Sequence, residues 1–199
     1  AGVTARLASE SFSGELAYEI AVPARFGDAL WRRLLDHATA LGRSAYGSDA
    51  LGVMRIEKGH VSGPELNGTT MPGDLGLGGL RSKKKDYVGR VLGERPGLVD
   101  PERPRLIGLR PLDRTQRLRW GAHFIAKDVA TIAANDHGHM TSTAYSPSLG
   151  HWIGLGLLRH GPERIGEVVR AVDPVRGEDR LVEVVSPVFI DAEGARLRV

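Results

Sequence analysis

Cysteine does not occur in the 199 residues, which excludes disulfides, thiolate zinc sites, iron–sulfur clusters and cysteine nucleophiles together. A disulfide-built secreted scaffold is thereby excluded, and a cytoplasmic location is the expectation. Uninterrupted apolar runs of about eighteen residues are also missing, so no spanning helix is expected. Initiator Met, signal peptide and transit-peptide composition are all lacking. The chain opens directly on the alternating run Val3-Thr4-Ala5-Arg6-Leu7-Ala8 and reads as a piece cut from a longer polypeptide. Aromatic residues are few, at 6%. Apolar residues at 41% still suffice to offset the ordering entropy of a folded chain. The 27 Lys and Arg against 24 Asp and Glu leave a formal charge of +3, too small an excess to name a polyanionic partner. Glycine is the abundant residue, with 26 copies, and points to turns, bulges and short strands.

Two strands are expected over residues 3–10 and 15–22, joined by Ser11-Phe12-Ser13-Gly14. Pro23 then opens a helical stretch whose Phe26, Leu30, Leu34, Ala38 and Leu41 share one stripe, closed by Gly42. A second helix runs from a Ser48 cap through Ile56, with Leu51, Val53 and Met54 inward and Gly59 past its end. Residues 60–82 have no periodicity and read as a functional loop or linker, its run Gly73–Gly79 as a flexible connection. The proline- and charge-rich residues 93–104 are the expected linker. From Arg105 onward six short strands are expected: Leu106–Pro111, His123–Ala126, His139–Tyr145, Trp152–Leu158, Ile165–Ala171 and Arg180–Val185. Their punctuation every dozen residues or so indicates a small antiparallel barrel or sandwich. The fold class is α+β, an α+β portion over 1–92 followed by an all-β domain over 105–199.

Strand alternation puts Glu15, Ala17 and Glu19 on one face, with Leu16, Tyr18 and Ile20 on the other. Glu19 reads either as a solvated charge or as a carboxylate able to accept two N–H donors from a planar heterocycle. Arg55 and Glu57, at the end of the second helix, read on spacing alone as surface charges; the functional alternative is an arginine turned inward to orient a carboxylate. Lys83, Lys84 and Lys85 form a basic run suited to a phosphate, a polyglutamate tail or a nucleic-acid backbone, or else simply to solvent. No stacking set accompanies it, so nucleic-acid binding is not expected. Seven histidines show no metal-ligand spacing, and no metal is expected. A dinucleotide fingerprint, a P-loop and a nucleophile elbow are likewise absent from the sequence.

Several longer stretches stand in a familiar order: SFSGELAYEI (11–20), MRIEKG (54–59), TTMPGDLGLGGL (69–80), SKKKDYVG (82–89) and GHMTSTAYSPSLGHWIGLGLL (138–158). They resemble the folate-binding aminomethyltransferase family, the glycine cleavage T-protein and its relatives. SKKKDYVG, SPSLG and the closing EVVSPVFIDAEGARLRV (183–199) resemble the branch found in sarcosine oxidase alpha subunits. The resemblance implies a ferredoxin-like α+β body, here partial, followed by a small β-barrel, with tetrahydrofolate bound between them.

By the same resemblance Glu19 grips the pterin ring with Tyr18 beside it, and Arg55 belongs to the cofactor site. Ala17 replaces the family's usual Gly, Phe12 its common Tyr, and Leu51 the T-protein arginine that helps hold folate. The family's catalytic aspartate lies in a segment these residues do not include, so no catalytic residue is assigned and the chain alone is expected to be inactive. In the oxidase branch, a flavin-bearing beta subunit oxidises sarcosine, smaller subunits and NAD complete the hetero-oligomer, and tetrahydrofolate takes the one-carbon unit. Lys83, Lys84 and Lys85 are assigned a phosphate or partner contact, and neither nucleic acid nor a membrane is an expected partner. A free-standing T-protein relative and a non-catalytic barrel module binding nucleic acid or protein are the alternatives.

Overall fold

Between residues 104 and 185 short apolar-containing runs alternate with turn residues, and six such runs form strands. The computed structural model describes residues 2–198. It places strands β3 (Pro104–Pro111), β4 (His123–Ala126), β5 (Gly138–Ser146), β6 (His151–Arg159), β7 (Val168–Asp173) and β8 (Glu178–Val185) in one closed barrel. The order around it is β3-β6-β5-β4-β7-β8, with antiparallel neighbours throughout and closure between β8 and β3. Closure leaves no exposed sheet edge. All six expected strands are present, β4 with the expected ends. The strand expected from Ile165 starts instead at Val168, because residues 161–164 form a 3-10 turn and Ile165 is exposed.

Inside the barrel, Ile107, Leu109, Leu118, Phe124, Met140, Leu158, Val169, Val182 and Val184 are fully buried. β6 is apolar on both faces, and its glycines explain how. Gly154 and Gly156 face the interior, where a Cβ on Gly156 would lie 2.7 Å from Phe124 Cζ and one on Gly154 3.1 Å from Met140 Sδ. Only the missing side chains leave room for that ring and thioether. The alternate residues Ile153, Leu155 and Leu157 face outward yet are buried, against Ile56, Leu75, Leu106 and Ala144. The barrel wall thus has a second, external core, and this is where the rest of the chain sits on it.

The preceding portion is a two-stranded antiparallel sheet, β1 (Arg6–Ser9) with β2 (Tyr18–Ala21), plus helices α1 (Gly27–Ala40), α2 (Ser48–Glu57) and the short α3 (Pro96–Val99). Both strands are shorter than expected, since Ser11–Ala17 form a looped connection. Pro23 is extended rather than helical, and α1 starts after a 3-10 turn over Ala24–Phe26. The α1 stripe finds no core: Phe26, Leu30 and Ala38 are half-buried, while Leu34 and Leu41 are exposed, and α1 has no buried residue.

α2 is different, because its last turn lies against β5 and β6. Gly47, not Ser48, occupies its cap position. At its other end Gly59 has φ +74°, its N–H bonds the carbonyl of Ile56, and His60 N–H bonds that of Arg55, the paired bonds of a left-handed C-terminal cap. A Cβ on Gly59 would also lie 2.5 Å from the Pro187 carbonyl oxygen, so the site excludes any side chain. The run Gly73–Gly79, expected to be a flexible connection, is anchored. Leu75 is buried in the external core, Asp74 is ion-paired with Arg103, and Asp74 O accepts from Leu106 N at 2.7 Å.

Candidate functional site

The last turn of α2 carries three consecutive ionisable or apolar contacts into the interior: Arg55, Ile56 and Glu57 are all buried, and Lys58 follows them. The surface-charge reading of Arg55 and Glu57 is therefore overturned. Isolated burial of a charge is prohibitive, so each must be matched. Arg55 Nη1 donates to Glu65 at 3.1 Å and its Nη2 to the Ser142 hydroxyl at 2.8 Å. The Ser146 hydroxyl donates to Glu57, and Lys58 Nζ donates to the Asp191 carboxylate at 3.0 Å.

Glu65, which nothing in the sequence pattern marked, is the centre of this network. It has 0% exposure. Its Oε2 accepts from Arg55 and from Ser62 N at 2.8 Å; its Oε1 accepts from the Thr141 and Ser142 hydroxyls, both at 2.6 Å. Two adjacent strand residues ordinarily point to opposite faces. Here the register of β5 against β6 shifts between Met140 and Ser142, a bulge that brings both hydroxyls to one carboxylate. The arginine does turn inward to orient a carboxylate, and that carboxylate belongs to this chain.

A second set of bonds ties the segment before β2 to the C-terminal tail. Gly14 has φ +87°, and a Cβ there would stand 2.8 Å from Lys58 Cγ. Leu16 N bonds Arg196 O at 3.1 Å, Glu15 pairs with Arg196 at 2.8 Å, and Phe12 O lies 3.0 Å from His60 Nδ1. The tail is pinned in turn by Phe189 N and Ile190 N, both bonded to Glu57 O. Burial alone would raise the Asp191 carboxyl, but Lys58 and the N–H groups of Arg196 and Ala195 together hold it below the usual carboxylate range. A polar cavity of about 120 Å³ lies among Gly14, Glu15, Glu57, Lys58, Asp191 and Arg196.

Glu19 lies next along β2, opposite Ala8 of β1. Its side chain is exposed and has no hydrogen-bond or ion-pair partner among the described residues; the described cavities are lined by other residues. Glu19 shares its face with half-buried Ala8 and Ala21. Tyr18 falls on the opposite face with Leu7 and Ile20, where all three are exposed. β2 therefore does not bring Tyr18 and Glu19 together, and Arg55 is committed inside. Lys83, Lys84 and Lys85 are exposed, the latter two with backbone N–H groups on the Ser82 hydroxyl. Only Lys83 of the three lines the 310 Å³ cavity formed with Arg81, Ser82, Tyr87, Arg90 and Glu94. Among the described residues no cluster of acidic or histidine side chains could hold a metal, and no helix is long and apolar enough to cross a membrane.

Comparison with known proteins covers both portions. Residues 1–85 match the family profile described as GCVT N-terminal domain, and residues 105–191 match the glycine cleavage T-protein C-terminal barrel domain. The chain is 46% identical over 190 residues to sarcosine oxidase subunit alpha of Rhizobium meliloti (strain 1021), covering 95% of this chain and 19% of that protein. It is 38% identical over 198 residues to sarcosine oxidase subunit alpha of Corynebacterium sp. (strain U-96), covering 98% of this chain and 20% of that one. The chain thus spans about a fifth of the length of these curated relatives. Among solved structures, the glycine cleavage system aminomethyltransferase T from Bartonella henselae superposes with a TM-score of 0.78 at 25% identity, over 94% of this chain and 50% of that one.

Proposed function

The chain belongs to the glycine cleavage T-protein, or aminomethyltransferase-like, family, and from that membership we propose that it is the tetrahydrofolate-binding part of a sarcosine oxidase alpha subunit. The observation that carries the proposal is the likeness to sarcosine oxidase alpha subunits along nearly the whole chain. In the complete assembly, sarcosine and oxygen would give glycine and hydrogen peroxide, with the methyl carbon delivered to tetrahydrofolate as methylenetetrahydrofolate. A flavin-bearing beta subunit and smaller subunits would be its partners, with flavin and NAD held outside these residues. Residues 93–104 are taken as the joint between the folate-binding portion and the barrel.

Of the three residues assigned to that cofactor, Glu19 is the one whose chemistry suits the pterin edge. The pterin edge offers adjacent ring N–H and amino donors, and Glu19 is a carboxylate with both oxygens unclaimed by the protein. Such paired, charge-assisted bonds are the strong ones, and a neutral amide cannot accept with both atoms. Bound tetrahydrofolate supplies the nitrogen nucleophiles that take up the one-carbon unit. The protein's part is orientation. Arg55 and Glu65 fix α2 on the barrel wall, and Lys58, Arg196 and Asp191 fix the loop that leads into β2, so Glu19 is presented from a tied strand. Tyr18 lies exposed on the other face of β2, away from Glu19. Lys83, Lys84 and Lys85 are assigned to a phosphate or to the partner subunit.

Calorimetry of tetrahydrofolate binding to the full assembly tests this. Glu19→Gln is expected to weaken binding roughly ten- to a hundredfold, the range of a hydrogen bond to a charged group. Its melting temperature should not move, because the residue is exposed and unpaired. Equal affinity of the variant and the parent would overturn the assignment.

A further inference from the structure

The outer wall of the barrel between β4 and β7 holds a cleft that the folate reading does not use. The register pairs His123 with Val172 and Ile125 with Arg170, so these four share the outward face while Phe124, Val169 and Ala171 fill the interior. Outward residues on a barrel are ordinarily wet. Ile125 is nevertheless 2% exposed and Val172 7%. They are covered by the loop of residues 127–137, which is tied down at several points. Arg170 donates to Val129 O at 2.8 Å and to the Thr131 hydroxyl at 2.9 Å, Asn135 donates to Ala130 O at 2.8 Å, and His137 N bonds Phe124 O at 3.0 Å.

Between loop and sheet is a cleft of about 260 Å³ with walls of Ile125, Ile132, Ala133, Val172 and Pro174. The same cleft is lined by Thr131, whose hydroxyl oxygen accepts from Arg170, and by His123 and Asp136. Asp136 Oδ2 is 2.7 Å from His123 Nδ1, and its Oδ1 accepts from Gly138 N at 3.0 Å. With Nδ1 donating to that carboxylate, Nε2 is the acceptor of the neutral imidazole tautomer. Among the described residues that nitrogen has no partner. An apolar cleft with one convergent polar group and pre-formed walls is the usual form of a small-molecule site.

We propose that this cleft binds a one-ring aromatic alcohol, the ring against Ile125 and Val172 and the hydroxyl donating to His123 Nε2. A cavity of about 150 Å³ already holds benzene, so one substituted ring fits. An anionic head is disfavoured by the Asp136 carboxylate, and a compound without a donor forgoes the bond to Nε2.

The test is a titration of the full chain with p-cresol, toluene and benzoate at about pH 8, above the ordinary histidine range, followed by methyl NMR. Saturable shifts at Ile125 and Val172 are expected with p-cresol, with toluene about tenfold weaker and benzoate weaker still. His123→Phe, at a half-exposed position, should remove the preference for p-cresol over toluene, and Ala133→Trp should abolish both by filling the cleft. Absence of saturable shifts, shifts confined to other residues, benzoate as the tightest of the three, or a preference that survives His123→Phe would each overturn the proposal.

Discussion

Replacement of Glu65 tests whether the body is seated on the barrel by its buried ion pair. Glu65→Gln removes the charge from a group with 0% exposure that accepts from Arg55, Ser62 N, Thr141 and Ser142. Arg55, 7% exposed, then faces a neutral amide in place of its counter-charge, with Ser142 and the His60 carbonyl as its other partners. A buried charge stripped of its counter-charge costs about 3–5 kcal/mol. At roughly 2–4 °C per kcal/mol for a chain of this size, the melting temperature should fall by ~6–20 °C. Replacing both members, as Arg55→Met with Glu65→Leu, removes the unmatched charge as well, and that variant should melt above either single variant, because apolar pairs of similar volume substitute well for buried ion pairs. Calorimetry or denaturant unfolding reads both effects. A loss below about 1 kcal/mol for Glu65→Gln, the ordinary value of an exposed pair, would refute the reasoning, as would a double variant less stable than both singles.

Other outcomes follow from the same structure. Gly156→Ala puts a methyl 2.7 Å from Phe124 Cζ and 3.0 Å from the His139 carbonyl and should cost about 1–3 kcal/mol in denaturant unfolding; Gly97→Ala, with nothing within 4 Å of the new methyl, should cost nothing. Stability should fall as pH is lowered. Burial, then Arg164 and Arg159, holds His137 below the usual histidine value, so from about pH 6.5 downward the unfolded chain takes up that proton first. Arg110 holds Glu183 and Arg164 holds Glu167 below the carboxylate range; their contribution is complete above the unfolded carboxylate pKa of about 4.3 and is lost as pH falls through the folded values. A stability that rises as pH falls from about 7 to 5 would contradict the histidine sign, and one that rises as pH falls below about 4.3 would contradict the carboxylate sign. If Lys83, Lys84 and Lys85 meet the partner subunit proposed above, changing all three to Gln should weaken that association most at low salt, read by sedimentation, and leave the melting temperature unchanged, since all three are exposed.

The sequence by itself determined that the six barrel strands exist and where α1 and α2 stop. Alternation with period two is a property of a few consecutive residues, so His123–Ala126 and the other barrel strands were legible from pattern. Gly42 and Gly59 likewise marked helix ends, because a left-handed residue after a helix is a local demand. The motif around Glu19 and the family resemblance were legible too, as strings of residues in order.

Only the tertiary structure decided which charges are buried. Arg55 meets Ser142 across 87 residues, Glu65 meets Thr141 across 76, and Lys58 meets Asp191 across 133. No local signal separates a solvated glutamate in a glycine- and proline-rich loop from one held by four donors. That distinction depends on a bulge in a strand far along the chain. The same holds for β6, expected as a strand from its pattern, where only the fold shows that the ring of Phe124 fills the space Gly156 leaves. A pattern of polarity fixes what a segment can become, because periodicity is written in neighbours. Whether a charged group is matched depends on distant partners, and folding alone brings them within 3 Å.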